Sequence, residues 1–260
     1  MKLIDTHAHL YAEEFIDDLD RVIERSIEKN LSHIILPNID CDSIKGLKKV
    51  TQLSNEKIQF LAMMGLHPCY VKDDFEKQLE IIYAEFENKE INIFAVGEIG
   101  LDYYWDLSYK GQQRQAFRVQ IDWAIEKKLP IAIHCRNAYD DVIKILQEKK
   151  HADLKGVLHC FGGNIEEANL LIELGFYLGI GGVLTYKNAG LAEVIQQIDI
   201  KHLVLETDAP YLAPVPYRGK RNESSFLEEI AQKLSEIKKM SIEEVSSITS
   251  KNAMDLFQIV

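Results

Sequence analysis

His7 and His9 stand two residues apart behind a short apolar run, so on a strand both imidazoles point to one face. Alone, such a pair says little. Four more ligand-type side chains follow apolar runs of their own: Glu98 in Val96-Gly97-Glu98-Ile99-Gly100, His134 after residues 130–133, His159 after residues 156–158, and Asp208 in Glu206-Thr207-Asp208-Ala209-Pro210. Each is expected at the end of a strand. Four imidazoles and two carboxylates are enough for two divalent ions with positions open to water and substrate, which points to metal-assisted hydrolysis. His7 and His9 with Asp208 would take one ion, and His134 and His159 the other. Glu98, with two oxygens, would bridge them. Asp208 is also the general-base candidate, since a metal-facing carboxylate can orient the attacking water and accept its proton. The competing account of Asp208 is a turn before Pro210, and of each histidine, a core residue bonded to backbone.

Side chains so far apart in the chain need a scaffold that brings strand ends together. Strand-like runs recur at residues 3–6, 33–37, 59–64, 93–97, 130–133, 156–158, 176–180 and 203–207. Helical periodicity fills the gaps: Phe15, Leu19, Val22, Ile23 and Ile27 share one face, then Phe75, Leu79, Ile82 and Phe86. Phe117, Ile121 and Ala124, then Val142, Ile145 and Leu146, continue it. Alternating strands and helices imply βαβ units, and eight of them imply a closed (β/α)8 TIM barrel, a single domain over residues 1–260. Residues 223–260 read as two or three outer helices. In such barrels the active site lies at the C-terminal ends of the strands, where the candidate ligands fall.

At 47% hydrophobic the chain can bury a full core. No apolar run is long enough to span a membrane, and the opening MKLIDTHAHL turns polar and acidic at once, unlike a signal peptide. Cys41, Cys69, Cys135 and Cys160 form no CxxC pair, which suits reduced thiols in the cytoplasm. Cys135 and Cys160, beside ligand histidines, read as packing residues. A net charge of −11 argues against nonspecific coating of DNA, yet leaves room for a phosphate substrate at one local site. A closed barrel offers no edge strand, so a monomer is expected.

Taken together, the motifs resemble the TatD family of metal-dependent deoxyribonucleases, within the amidohydrolase-like barrels. They are Asp5-Thr6-His7-Ala8-His9-Leu10, Gly65-Leu66-His67-Pro68, Gly97-Glu98-Ile99-Gly100-Leu101-Asp102-Tyr103-Tyr104, His134-Cys135-Arg136, His159-Cys160-Phe161-Gly162-Gly163, Glu206-Thr207-Asp208-Ala209-Pro210 and Arg218-Gly219. The resemblance implies hydrolysis of DNA phosphodiester bonds, as a 3′–5′ exonuclease on single-stranded DNA. It also implies that His7, His9, Glu98, His134, His159 and Asp208 hold divalent metal, Mg2+ by likeness to the family. Four histidines favour Zn2+ or Mn2+ instead. Where the family continues to Asn-Glu-Pro, this chain reads Asn222-Glu223-Ser224, which leaves the ligands untouched but bears on the loop beside them.

His67 could donate to a phosphate oxygen, or Pro68 could make it a turn residue. Arg136 could stabilise charge developing on phosphorus, and Arg218, Lys220 and Arg221 could hold flanking phosphates. Tyr103, Tyr104 and Trp105 could stack on bases or pin their loop in a small core. Asp5 and Glu206 share parity with the ligands and could orient imidazoles. A carbonyl or ester hydrolase, for example on an aminoacyl-RNA linkage, is the nearest alternative activity, and an idle metal-binding barrel a more distant one.

Overall fold

The computed structural model describes residues 2–259. In it, strands β1 (Leu3–Asp5), β2 (Leu31–Leu36), β3 (Gln59–Met64), β4 (Ile93–Asp102), β5 (Ile131–Arg136), β6 (Gly156–Leu158), β7 (Phe176–Ile180) and β8 (Leu203–Leu205) pair in parallel in chain order. Helices α1 (Leu19–Glu28), α2 (Ser43–Thr51), α3 (Phe75–Ala84), α4 (Lys110–Lys127), α5 (Tyr139–Glu148), α6 (Ile165–Glu173) and α7 (Leu191–Gln197) alternate with them, and α8 (Leu227–Lys238) and α9 (Ile242–Phe257) follow. This is the (β/α)8 barrel the periodicity implies. The seam between β8 and β1 closes through single backbone hydrogen bonds: Thr6 N to Leu205 O, Asp208 N to His7 O and His9 N to Ala209 O.

Two apolar layers separate cleanly. Ile4, Ile35, Leu61, Met63, Ala95, Ala132, Val157 and Val204 fill the barrel, where Ala253, Leu256 and Phe257 of α9 join them. The alternate strand residues, among them Ile34, Phe60, Val96, Ile133 and Leu178, pack outward against the other helices. Asn164 and Ser241 start α6 and α9 with capping boxes closed by Glu167 and Glu244.

Two strands run further than the apolar runs suggest. β4 continues through Glu98 to Asp102, and β5 through His134 to Arg136, so both ligand candidates lie within strands rather than at their ends. Gly100 makes the extension possible. It pairs with His134 at a φ of 139°, and a Cβ there would collide with the His134 carbonyl oxygen. Gly100→Ala is therefore expected to lose about 1–3 kcal/mol to backbone strain and a similar about 1–3 kcal/mol to overpacking. Urea denaturation measures it; a loss under about 0.5 kcal/mol would show that β4 tolerates the side chain.

Candidate metal centre

Glu98, only 2% exposed, stands between two groups of imidazoles. Its Oε2 lies 3.1 Å from His7 Nε2 and 3.6 Å from His9 Nε2. Its Oε1 lies 2.9 Å from His159 Nε2, 3.1 Å from His134 Nδ1 and 3.3 Å from His67 Nε2. Asp208 joins the first group, with Oδ1 3.4 Å from His9 Nε2 and 3.8 Å from His7 Nε2. The His7 and His159 rings stack at 3.9 Å and 11°, which sets the two groups side by side. All six ligand candidates from the sequence thus meet in one place, with His67 as a fifth imidazole.

The barrel seam delivers the first group. The hydrogen bonds of Asp208 N to His7 O and of His9 N to Ala209 O fix the two chain segments against each other, and Asp208 itself takes a left-handed φ of 58°. Asp5 supports this seam rather than an imidazole: it accepts from Thr207 N at 2.9 Å and from Thr207 Oγ1 at 2.6 Å. Glu206 does face an imidazole, with Oε1 3.5 Å from His159 Nδ1. Gly179 leaves the room for it, since a Cβ there would meet the Glu206 carboxylate.

Hydrogen bonds around the rings decide which nitrogen is free to ligate. The Tyr11 hydroxyl donates to Pro37 O at 2.7 Å, so toward His9 Nδ1, 3.0 Å away, it can only accept. His9 therefore keeps its lone pair on Nε2, facing Glu98 and Asp208. The Asp102 carboxylate, 2.9 Å from His134 Nε2, places the proton there and leaves Nδ1 toward Glu98. His67 is set the other way. Its Nδ1 accepts from Cys69 N at 3.1 Å, so the neutral ring carries its proton on Nε2 and presents a donor to the centre.

The donor set fits divalent metal. Among the described residues no Lys or Arg forms an ion pair with Glu98, Glu206 or Asp208; imidazoles are their only cationic partners. His7 Nδ1, His159 Nδ1 and Glu206 Oε2 are buried without a hydrogen-bond partner. Burial alone would raise the Glu98 carboxyl, yet His159, His67 and His7 hold it well below the usual carboxylate range. Burial lowers His7 and His67. It acts the same way on His134 and His159, but Asp102 and Glu98 at the first ring, and Glu98 and Glu206 at the second, outweigh it and raise both. A buried cluster of neutralisable imidazoles around ionised carboxylates is the electrostatic setting a divalent cation completes.

Asp102 is the functional residue that strand reading missed. It is buried, and desolvation would raise its pKa, but the His134 hydrogen bond and the backbone donors of Tyr104 and Trp105 bring it down to about 2. The available signal was its spacing from Glu98: residues 98, 100 and 102 share one face of an extended β4. Asp102→Asn tests the role. The amide keeps an acceptor for the loop but turns a donor toward His134 Nε2, which moves the ring proton to Nδ1 and blocks that nitrogen. Metal affinity is expected to fall roughly 10–100-fold, read by competition with a chromophoric chelator. Unchanged affinity would remove His134 Nδ1 from the ligand set.

The other expected substrate contacts fall in different surroundings. Arg136 is exposed, its guanidinium 3.7 Å from the centroid of the Tyr104 ring. Arg218, also exposed, lies 4.6 Å from the Tyr186 ring beside a 460 Å³ cleft. Tyr103 turns away from the ligands, donating to Asp141 Oδ2 at 2.7 Å and accepting from Arg114 Nε at 3.0 Å. Arg221 is already occupied: it pairs with both Asp18 oxygens at 2.6 and 2.8 Å, so the phosphate contact expected of it does not hold. Asn222 ties the loop down by donating to Thr207 O and Tyr211 O, and a short 3-10 turn, Ser224–Phe226, leads into α8 without the proline.

A sequence profile of the family described as TatD related DNase matches residues 4–258. The chain is 42% identical over 258 residues to YabD of Bacillus subtilis, named an uncharacterized metal-dependent hydrolase, covering 99% of each. It is 32% identical to the similarly named YcfH of Escherichia coli, over 100% of this chain and 97% of that one. Among solved structures, YjjV of Escherichia coli, a TatD homologue, superposes with a TM-score of 0.92 at 25% identity, covering 99% of this chain and 98% of that one. A TatD family hydrolase from Entamoeba histolytica gives 0.83 at 26% identity, over 98% and 97% of the two chains.

Proposed function

The chain is a metal-dependent hydrolase of the TatD related DNase family, and from that premise we propose that it hydrolyses phosphodiester bonds of single-stranded DNA, as a 3′–5′ exonuclease at a two-metal site. The observation that carries the two-metal reading is the division of labour at Glu98, one oxygen toward His7 and His9, the other toward His134 and His159. Divalent cations bound there supply Lewis acidity and make water a nucleophile at neutral pH. The protein's own groups do the rest. Asp208 orients the water and takes its proton; burial would raise its carboxyl, but the neighbouring imidazoles of His9, His159 and His7 hold it below the usual carboxylate value and keep it ionised. His67 offers Nε2–H to a phosphoryl or departing oxygen.

Charge placement favours a phosphate substrate. In a chain of net charge −11, several Arg and Lys side chains near the strand ends are paired, as Arg114 is with Asp141, Lys72 with Asp106 and Arg221 with Asp18. Arg136 and Arg218 form no ion pair among the described residues and lie on aromatic rings instead. Their donors stay available for phosphate oxygens. The cysteines Cys41, Cys69, Cys135 and Cys160 are unpaired, which supports work in a reducing compartment such as the cytoplasm. Among the described residues no helix is long and apolar enough to cross a membrane. We assign the monomer as the working unit, since the site draws every ligand candidate from one chain.

Metal-stripped protein incubated with end-labelled single-stranded DNA tests the reading, with Mg2+, Mn2+ and Zn2+ restored separately. Stepwise shortening from the 3′ end that needs metal is the expected result. The imidazole-rich donor set predicts Mn2+ or Zn2+ as the tighter-bound ion. No cleavage with any ion, in protein shown to bind metal, would overturn it in favour of a carbonyl or ester substrate.

A further inference from the structure

We propose that Tyr104, Trp105 and Arg136 form a nucleobase-stacking subsite that selects substrates with an unpaired base beside the reacting phosphate; the assignment rests on the phosphodiester reading above. Tyr104 is 53% exposed and Trp105 69%, on the loop that leaves the C-terminal end of β4. Single exposed apolar side chains are ordinary on a protein surface, but these two are neighbours in contact and form one aromatic patch. Pinning the loop does not require them, because Tyr103 already does so through Asp141 and Arg114.

Their arrangement is built rather than loose. The Tyr104 and Trp105 rings meet edge to face, with centroids 4.9 Å apart at 87°. The Arg136 guanidinium sits 3.7 Å from the Tyr104 centroid and 5.2 Å from that of Trp105. Among the described residues its side chain makes no hydrogen bond or ion pair. A flat cation stacked on a ring, with its donor edge free, can donate to a phosphate while the neighbouring ring offers its face to a base.

The subsite is also tied to the reaction centre. Asp102 Oδ1 accepts from Tyr104 N at 2.9 Å and Trp105 N at 3.2 Å, while Oδ2 meets His134 Nε2 at 2.9 Å. One buried carboxylate thus holds both a ligand imidazole and the backbone of the aromatic pair. A base stacked there keeps a set distance from the phosphate over the ligands. Duplex DNA, its bases already stacked on each other, cannot offer one.

Two measurements on the full chain test this, with a thymidine hexanucleotide and the same chain carrying tetrahydrofuran abasic residues at its 3′ end. Quenching of tryptophan fluorescence reads binding, since Trp105 is exposed and Trp123 only 8% so. The intact strand is expected to bind about 5–30-fold tighter than the abasic one; in the variants, where the reporter is gone, the preference is read from kcat/KM, which Trp105→Ala is expected to level and Trp105→Phe to restore. The same ratio should appear in kcat/KM through KM. Equal binding of the two strands by the unaltered protein, or a preference surviving in Trp105→Ala, would overturn the subsite. Base-dependent binding without cleavage under any metal would keep the subsite and overturn the phosphodiester reading instead.

Discussion

Glu98→Gln lowers kcat/KM by roughly 10³-fold or more and strips metal from the protein, while circular dichroism stays that of the folded barrel. The expectation follows from geometry. Glu98 has imidazole nitrogens within 3.6 Å of both oxygens, His7 and His9 on one and His134, His159 and His67 on the other. An amide gives only one side an oxygen and turns N–H donors toward the other, and it removes a charge from the centre of the set. Proton bookkeeping gives a second readout. Carboxylates that include Glu98 raise both His134 and His159, so metal uptake must displace the protons these rings carry. Apparent metal affinity therefore rises with pH and keeps rising above the ordinary imidazole pKa, and calorimetry in two buffers of different ionisation enthalpy counts the release. A variant that keeps a tenth of the activity and its metal would take Glu98 out of the centre.

How far the chain could be read depends on which signals are local. The repeat of apolar run and amphipathic helix is local, and so is the His7–His9 spacing; both carried through to the barrel and the ligand cluster. Parity failed where the strands are irregular. Ile4 packs inside the barrel although odd-numbered His7 and His9 reach the centre, so Asp5 meets Thr207 rather than an imidazole. In β4, Ala95 is interior and Glu98 is too, across a register shift between Val96 and Ile99. Pairing partners far along the chain left no trace in spacing. Gln120 brackets Leu66, accepting from its N–H at 2.7 Å and donating to its carbonyl at 3.2 Å, next to His67. Gln113 accepts from Asp102 N at 3.0 Å in the same manner. Both amides lie on the buried face of α4, where a sequence shows only polar residues out of place. Arg221 fails for the same reason, because Asp18 reaches it from the far end of the chain.

Asp208→Asn is the sharper test of chemistry, because the substitution disturbs so little else. The residue is at a φ of 58°, a conformation Asn adopts readily, and its backbone N–H to His7 O is kept. An amide still offers one oxygen toward His9 and His7. What it cannot do is take a proton from water. We expect kcat to fall by about 10²–10⁴-fold with KM nearly unchanged. The pH dependence tests whether Asp208 is already ionised where the enzyme works. With its pKa held below the usual carboxylate value, Asp208 is ionised throughout about pH 5–8, so the ratio of native to variant kcat should be flat across that window. A carboxylate whose pKa were raised would make the ratio climb with pH instead. Metal content measured on the same samples completes the assignment. Full metal with a collapsed kcat at a pH-independent ratio assigns Asp208 the proton, whereas a loss of activity that follows a loss of metal makes it a ligand alone. Retention of more than a tenth of kcat would move the base to another group, and His67 is excluded from that part because its Nε2 already carries a proton toward Glu98.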